Sequence, residues 1–287
     1  MSAYPSNRRT AAIGDSFINY IDVGKGHPVL LGHSYLWDAE MWRLQIDALS
    51  SHYRIIAPDL WGHGLSGPLP TGTRDIADLG RHYLRLLDHL DIGEATVVGH
   101  SVGGMWGAEM AAMAPERVSG LALLNTYLGP EPATAKAQNF AMMSAIEEAG
   151  VVIEPILDAI LHLFFAPTTF QDYPHLPATF RERLRSWEPT TLLDTILPLG
   201  RLIFGRPDRL DILRGLDMPT LVVSGTDDIA RPPQEGRTMA ELLQSPFTQI
   251  SAAGHVSPLE APHAVTDALI GLLRRVERVG ADHALIR

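Results

Sequence analysis

Cysteine is absent from the 287-residue chain. That excludes disulfides and thiolate nucleophiles, and it suits a reducing compartment. Long apolar runs are absent too. No segment approaches the roughly 18 uninterrupted apolar residues of a membrane helix, so no membrane partner is expected. Basic residues are outnumbered, with 23 Lys and Arg against 33 Asp and Glu, for a net charge of −10. They are scattered and form no run. Such a chain repels phosphate backbones, so nucleic acid is not an expected partner either. The opening MSAYPSNRRT has two arginines but no apolar stretch behind them, which does not read as a secretory signal. A cytoplasmic protein is the expectation. The 12 histidines show no H-x-x-x-H or similar ligand spacing, so no metal site is expected. Internal repeats and low-complexity segments are missing, and nothing indicates an oligomeric state.

What is present is enough apolar material for a large core, 46% of residues. SFINYIDVG alternates and ends at Gly24-Lys25-Gly26, a hairpin-like turn. PVLLGHS is short and solidly apolar, as a strand buried on both faces would be. YRIIAPDLWGHGLSG repeats the pattern of apolar run and Pro/Gly loop. Ile76, Leu79, Tyr83, Leu86, Leu87 and Leu90 then fall on one helical face. ATVVGHS reads as a strand, GMWGAEMAAMAPERV as a helix stopping near Pro115, and GLALLNT as another strand. This alternation predicts a mostly parallel sheet with helices on both faces.

The alternation breaks after Asn125. Residues 128–210 contain no convincing strand, and Ile153, Ile156, Leu157, Ile160, Leu161 and Phe164 make a helical apolar stripe. Strands resume at MPTLVVSG and FTQIS, followed by a helix over about 263–277. The expected organisation is therefore an α/β core of residues 1–127 and 211–287. A helical cap, 128–210, is inserted before the strand that carries an acidic pair.

The stretch VVGHSVGGMWG packs four glycines around Ser101. Gly99-His100-Ser101-Val102-Gly103 has the form G-x-S-x-G, at the point where a strand ends and a helix begins. A serine on that sharp turn has its oxygen exposed as a nucleophile. The Val102 N–H, at the helix start, can donate to a developing oxyanion. Serine needs a base. His100 is adjacent but points to the opposite side, and His33 and His63 lie in loops after early strands. His255, in AAGHVSPLEAP between the last strand and last helix, belongs to the sheet edge that carries the serine, and it is the candidate base. An orienting carboxylate is available from Asp227 or Asp228, directly after a strand end, in the chain order Ser, Asp, His.

With GHSVGG, PDLWGHGLS, SGTDD and GHVSPLE in place, the sequence resembles the α/β-hydrolase fold superfamily over nearly its whole length. It is most similar to the serine-nucleophile branch of enol-lactonases, haloperoxidase-like proteins and carboxylesterases. Serine at 101 sets it apart from branches with an aspartate nucleophile. The resemblance places the acid three residues after Gly225, at Asp228. It also places a second oxyanion N–H in the loop after the early strand. There the usual His-Gly-x is replaced by Gly32-His33-Ser34, which puts Ser34 at the donor position, or Tyr35 if the loop is shifted by one. The implied activity is hydrolysis of a small to medium carboxylic ester or lactone through an acyl-enzyme, with substrate and water as partners and no cofactor. Tyr35, Trp37, Trp106, Phe164 and Trp187 are candidates for the pocket wall. Carbon–carbon bond hydrolysis and cofactor-free perhydrolysis would use the same triad, and a non-catalytic receptor on the same fold is a reading of another class.

Overall fold

The computed structural model describes residues 4–286. Eight strands form one sheet in the order β1-β2-β4-β3-β5-β6-β7-β8. They are β1 (Arg8–Ile13), β2 (Ser16–Val23), β3 (Pro28–Gly32), β4 (Arg54–Pro58), β5 (Ala95–His100), β6 (Val118–Leu124), β7 (Thr220–Gly225) and β8 (Phe247–Ile250). β2 runs antiparallel to β1 and β4, and every other pairing is parallel. β5 and β7 are buried at every residue, which is why they read as unbroken apolar runs rather than alternating ones.

The N-terminal edge differs from the sequence expectation. The turn at Gly24–Gly26 is not a hairpin, because β2 pairs with β1 and β4 and not with β3. The hairpin is the two-residue connection at Gly14-Asp15, with Gly14 at φ +64°. β1 carries no readable apolar alternation, because only Ala11 and Ile13 of its six residues are buried.

The helices of the core are α1 (Arg43–Leu49), α2 (Ile76–His89) and α3 (Val102–Met113). Asp75 caps α2 by accepting from the Asp78 N–H at 2.8 Å. Its apolar stripe brings Tyr83 onto Trp106 of α3, with ring centroids 3.9 Å apart. The C-terminal part adds α10 (Pro233–Leu243), a single turn α11 (Ser257–Glu260) and α12 (Pro262–Ile286). Successive residues of a strand face opposite sides of a sheet. A Cβ on Gly120 would meet Val276 of α12, whereas Leu121 lies against Gly107 of α3. These two helices therefore cover opposite faces.

Between β6 and β7 the described chain is helical. α4 (Ala133–Ala149), α5 (Glu154–Phe164), α6 (Thr169–Asp172), α7 (His175–Arg185) and α8 (Pro189–Thr191) are followed by a π-turn at Leu192–Ile196 that runs into α9 (Leu197–Gly205). A π-turn widens the helix and frees a carbonyl. Ile196 O accepts from the Tyr35 hydroxyl at 2.7 Å, joining this insertion to the loop after β3. The parallel register sets Gly32 beside Gly99 and His100 beside Leu124. The C-terminal ends of the central strands thus share one edge, under the insertion.

Candidate active site

β5 delivers Ser101 to that edge and α3 starts immediately after it. Ser101 has φ +54° and ψ −120°, a strained conformation for a residue with a Cβ. It is held by its neighbours. Its N–H donates to Leu124 O at 2.9 Å, and its carbonyl accepts from Gly104 N–H, Met105 N–H and, at 2.6 Å, the Thr126 hydroxyl. The flanking glycines are required by contact. A Cβ on Gly99 would lie 2.2 Å from Gly103 O, and one on Gly103 would lie 2.3 Å from Gly32 O. The amides of Val102 and Gly103 open α3 and lack an acceptor of their own in the helix.

His255 sits in the loop between β8 and α11. Its Nδ1 lies 3.0 Å from Asp228 Oδ2, and both side chains are buried. Asp228 Oδ2 also accepts from Asn125 Nδ2 at 2.8 Å, and its Oδ1 accepts from the Arg231 backbone N–H at 2.8 Å. Asp227 is exposed. Asn125 has φ +47° and is fully buried. It also donates to Gly254 O and accepts from the Ser257 hydroxyl. Sequence reasoning assigned it no role beside the acid. Its signal was a polar residue ending an apolar strand at the same sheet edge. Ser101 and His255 line one cavity, but no hydrogen bond joins their side chains among the described residues. Catalytic hydrogen bonds often tighten only when substrate is bound.

The other histidines are engaged elsewhere. His33 accepts from Leu60 N–H at 2.7 Å on Nε2, and its Nδ1 lies 2.7 Å from Ser34 O. His63 accepts from Leu36 N–H at 3.0 Å, with Nδ1 at 2.8 Å from Trp61 O. Burial pulls their pKa values down to about 4 and about 3, respectively. Neutral and doubly bonded, they shape the loop after β3, in which Leu36 has φ +72°. His100 reaches the His255 carbonyl with Nε2 at 2.5 Å.

The cavity has a volume of about 220 Å³. Beside Ser101 and His255 its wall is mostly apolar and comes from the insertion, including Met142, Ile156, Ile160 and Leu197. Tyr35, Phe164 and Trp187 are in its wall. Trp37 and Trp106 do not, and their placement corrects the sequence reading. Trp106 is turned toward the sheet, stacked on Tyr83 and against Gly32. Trp37 stacks on Phe180 at 4.5 Å with Arg183 over its ring, and so serves as a contact between core and insertion. Ser34 also lies off the cavity. It is fully buried, with its carbonyl taken by Trp37 N–H and His33, whereas Tyr35 and Leu36 face the cavity.

A strand-to-helix serine turn, a histidine with a buried aspartate and an inserted helical segment define a class. Residues 27–262 match the family model described as the alpha/beta hydrolase fold. The chain belongs to that family and is a hydrolase of it. It is 28% identical to 3-oxoadipate enol-lactonase 2 of Acinetobacter baylyi, over 93% of this chain and 96% of that one. Among solved structures, it is similar to a thermophilic esterase of Thermogutta terrifontis, solved with malate bound. The TM-score is 0.83 at 30% identity, covering 94% of this chain and 98% of that one. The enol-lactonase of Burkholderia xenovorans LB400 superposes with a TM-score of 0.82 at 26% identity, covering 93% and 100%. Among the described residues, no helix is long and apolar enough to cross a membrane.

Proposed function

We propose that the chain is a serine hydrolase of carboxylic esters or lactones of small to medium size, working through Ser101, His255 and Asp228. The observation that carries this reading is the strained Ser101 facing the same cavity as a histidine whose Nδ1 is held by a buried carboxylate. Ser101 Oγ attacks the carbonyl carbon as His255 Nε2 takes its proton. Asp228 fixes the tautomer and stabilises the imidazolium. The carbonyl oxygen becomes the oxyanion, held by the Val102 N–H and by that of Tyr35. Tyr35 is favoured over Ser34 because it faces the cavity, while the next amide, Leu36, is committed to His63. Each such donor is worth roughly 3 kcal/mol of barrier. The imidazolium protonates the leaving alcohol, and His255 then activates water to release the acid from the acyl-enzyme. In this reading the helical segment 128–210 is a cap that excludes bulk water and selects the acyl group through its apolar wall. The names of the enol-lactonase and esterase relatives agree with ester or lactone chemistry.

The test is a pre-steady-state assay with p-nitrophenyl acetate. The wild type should give a burst of nitrophenol proportional to enzyme, and Ser101→Ala should lose turnover by about 10⁵-fold with an unchanged fold. Residual activity above a thousandth of wild type would remove Ser101 from the mechanism. A wild type that binds esters without turnover would favour the receptor reading.

A further inference from the structure

The loop that carries His255 is fastened to the insertion as well as to the core. His255 N–H donates to Phe164 O at 2.9 Å, and the Phe164 ring meets the His255 imidazole edge-on at 5.1 Å between centroids. Glu260 closes the connection. Its Oε2 accepts from Gly254 N–H at 2.9 Å, on the base loop. Its Oε1 accepts from Ala166 N–H at 2.8 Å and from the Thr169 hydroxyl at 2.6 Å, on the insertion. The two surfaces are in direct contact, since a Cβ on Gly254 would lie 2.5 Å from Ala166 N. One buried carboxylate therefore joins the residue before the base to the segment after α5. The last residue of α5, Phe164, lines the cavity.

Burial pushes the Glu260 carboxyl up from its ordinary value and Asp228 adds repulsion, against the three hydrogen bonds that lower it. It is retained between two elements that both touch the reaction space. We propose that Glu260 is a positioning residue: through it the segment 164–169 sets the placement of His255, and an acyl chain that fills the cavity against Phe164 thereby aligns the base. The consequence is that acyl-chain selectivity is expressed in kcat more than in KM. This inference rests on the reading of His255 as the base.

The experiment uses Glu260→Gln, Thr169→Val and Thr169→Ser in the full chain. It combines steady-state kinetics on p-nitrophenyl acetate and hexanoate with amide hydrogen exchange at residues 254–256. Thr169→Val removes one donor that belongs to the insertion alone. It should lower the ratio of kcat for hexanoate to kcat for acetate by about fivefold and speed exchange at 254–256 by a similar factor, the scale of one lost hydrogen bond. KM should stay within about twofold, and Thr169→Ser should restore wild-type behaviour. Glu260→Gln should give the same pattern, enlarged. Unchanged exchange at 254–256 would overturn the coupling. Faster exchange with an unchanged kcat ratio would overturn its role in selectivity and leave Glu260 as structural support. If the wild type released nitrophenol from neither ester, the ester reading would fall, while the exchange arm would still decide whether the insertion holds the base loop.

Discussion

The two halves of the cavity are built by different physics. The core half, from the loop after β3 to the turns after β5, β6 and β7, is held by directional hydrogen bonds between buried polar groups. Asp228 alone accepts from His255, Asn125 and the Arg231 amide. The insertion half is mostly aliphatic and aromatic surface from α4, α5 and α9 with their connections. Hydrogen bonds are directional and fix atoms to a fraction of an ångström, which chemistry requires. Apolar packing fixes volume and tolerates exchange, which suits the selection of an acyl group. Substitutions on the two sides should therefore fail in different ways.

The largest expected effect separating the halves is at the acid. Asp228→Asn keeps the shape of the side chain but permits the wrong imidazole tautomer, so kcat should fall by about 10⁴-fold with nearly unchanged Tm. Asp227→Asn, on the exposed neighbour, should stay within about tenfold of wild type, losing at most about 1 kcal/mol of turn stability. Turnover at neutral pH and melting curves on both variants check this. The reverse ranking would assign the acid to the wrong aspartate. Equal, mild losses would remove the acid from this turn.

A smaller and more selective effect is expected across the cavity. Ile160 lines the wall from α5 and touches none of the proposed catalytic groups through a hydrogen bond. Ile160→Ala removes three carbons from the proposed acyl site. Each methylene of hydrophobic complementarity is worth about 1–3 kcal/mol, so kcat/KM for p-nitrophenyl hexanoate should fall by tenfold or more. The acetate ester, too short to fill the site, should be affected by less than about threefold. A uniform loss on both esters would mean that the insertion acts on the chemistry directly, and the contrast between the halves would dissolve.

The same contrast explains what could be seen in the sequence. The core half was legible because its demands fall on residue type at fixed chain positions. A serine at φ +54° between strand and helix needs glycines on either side, and these show as G-x-S-x-G. His255 and the acidic pair were legible because every loop after a parallel strand must reach the same edge. Asn125 and the Arg231 amide were not, since their role comes from contacts with Asp228 across about a hundred residues and three, respectively, without a local pattern. The pocket wall was the least legible part. Aromatic residue types announce burial but not direction. Trp106 faces Tyr83 and the sheet, and Trp37 faces Phe180, while Phe164 and Trp187 face the cavity. The loop after β3 is folded by two histidines, His33 and His63, whose contacts with Leu60 and Leu36 tie it to the turn after β4 without a local pattern.

Those histidines give the smallest predicted effect, one confined to the stability of the core half. Burial lowers His33 to about 4 and His63 to about 3, from an ordinary value of 6.5. A histidine with a depressed folded-state pKa is protonated more readily in the unfolded chain. Its contribution to stability is therefore complete above about pH 6.5 and is lost as pH falls toward the folded value. Carboxylates titrate in the same range, so the comparison must be between wild type and a variant that cannot take the proton. His63→Gln can still offer an oxygen to the Leu36 N–H but is neutral at every pH. At pH 7 it should be less stable than wild type, by about 1–3 kcal/mol for the disturbed buried hydrogen bonds. As the pH is lowered from 6.5 to 4, the gap should close by up to about 1.4 kcal/mol per pH unit. Urea titrations at pH 7, 5.5 and 4.5 measure it. A gap that stays constant would show that His63 titrates alike in the folded and the unfolded chain, so that the loop after β3 keeps its fold with a charged ring at low pH.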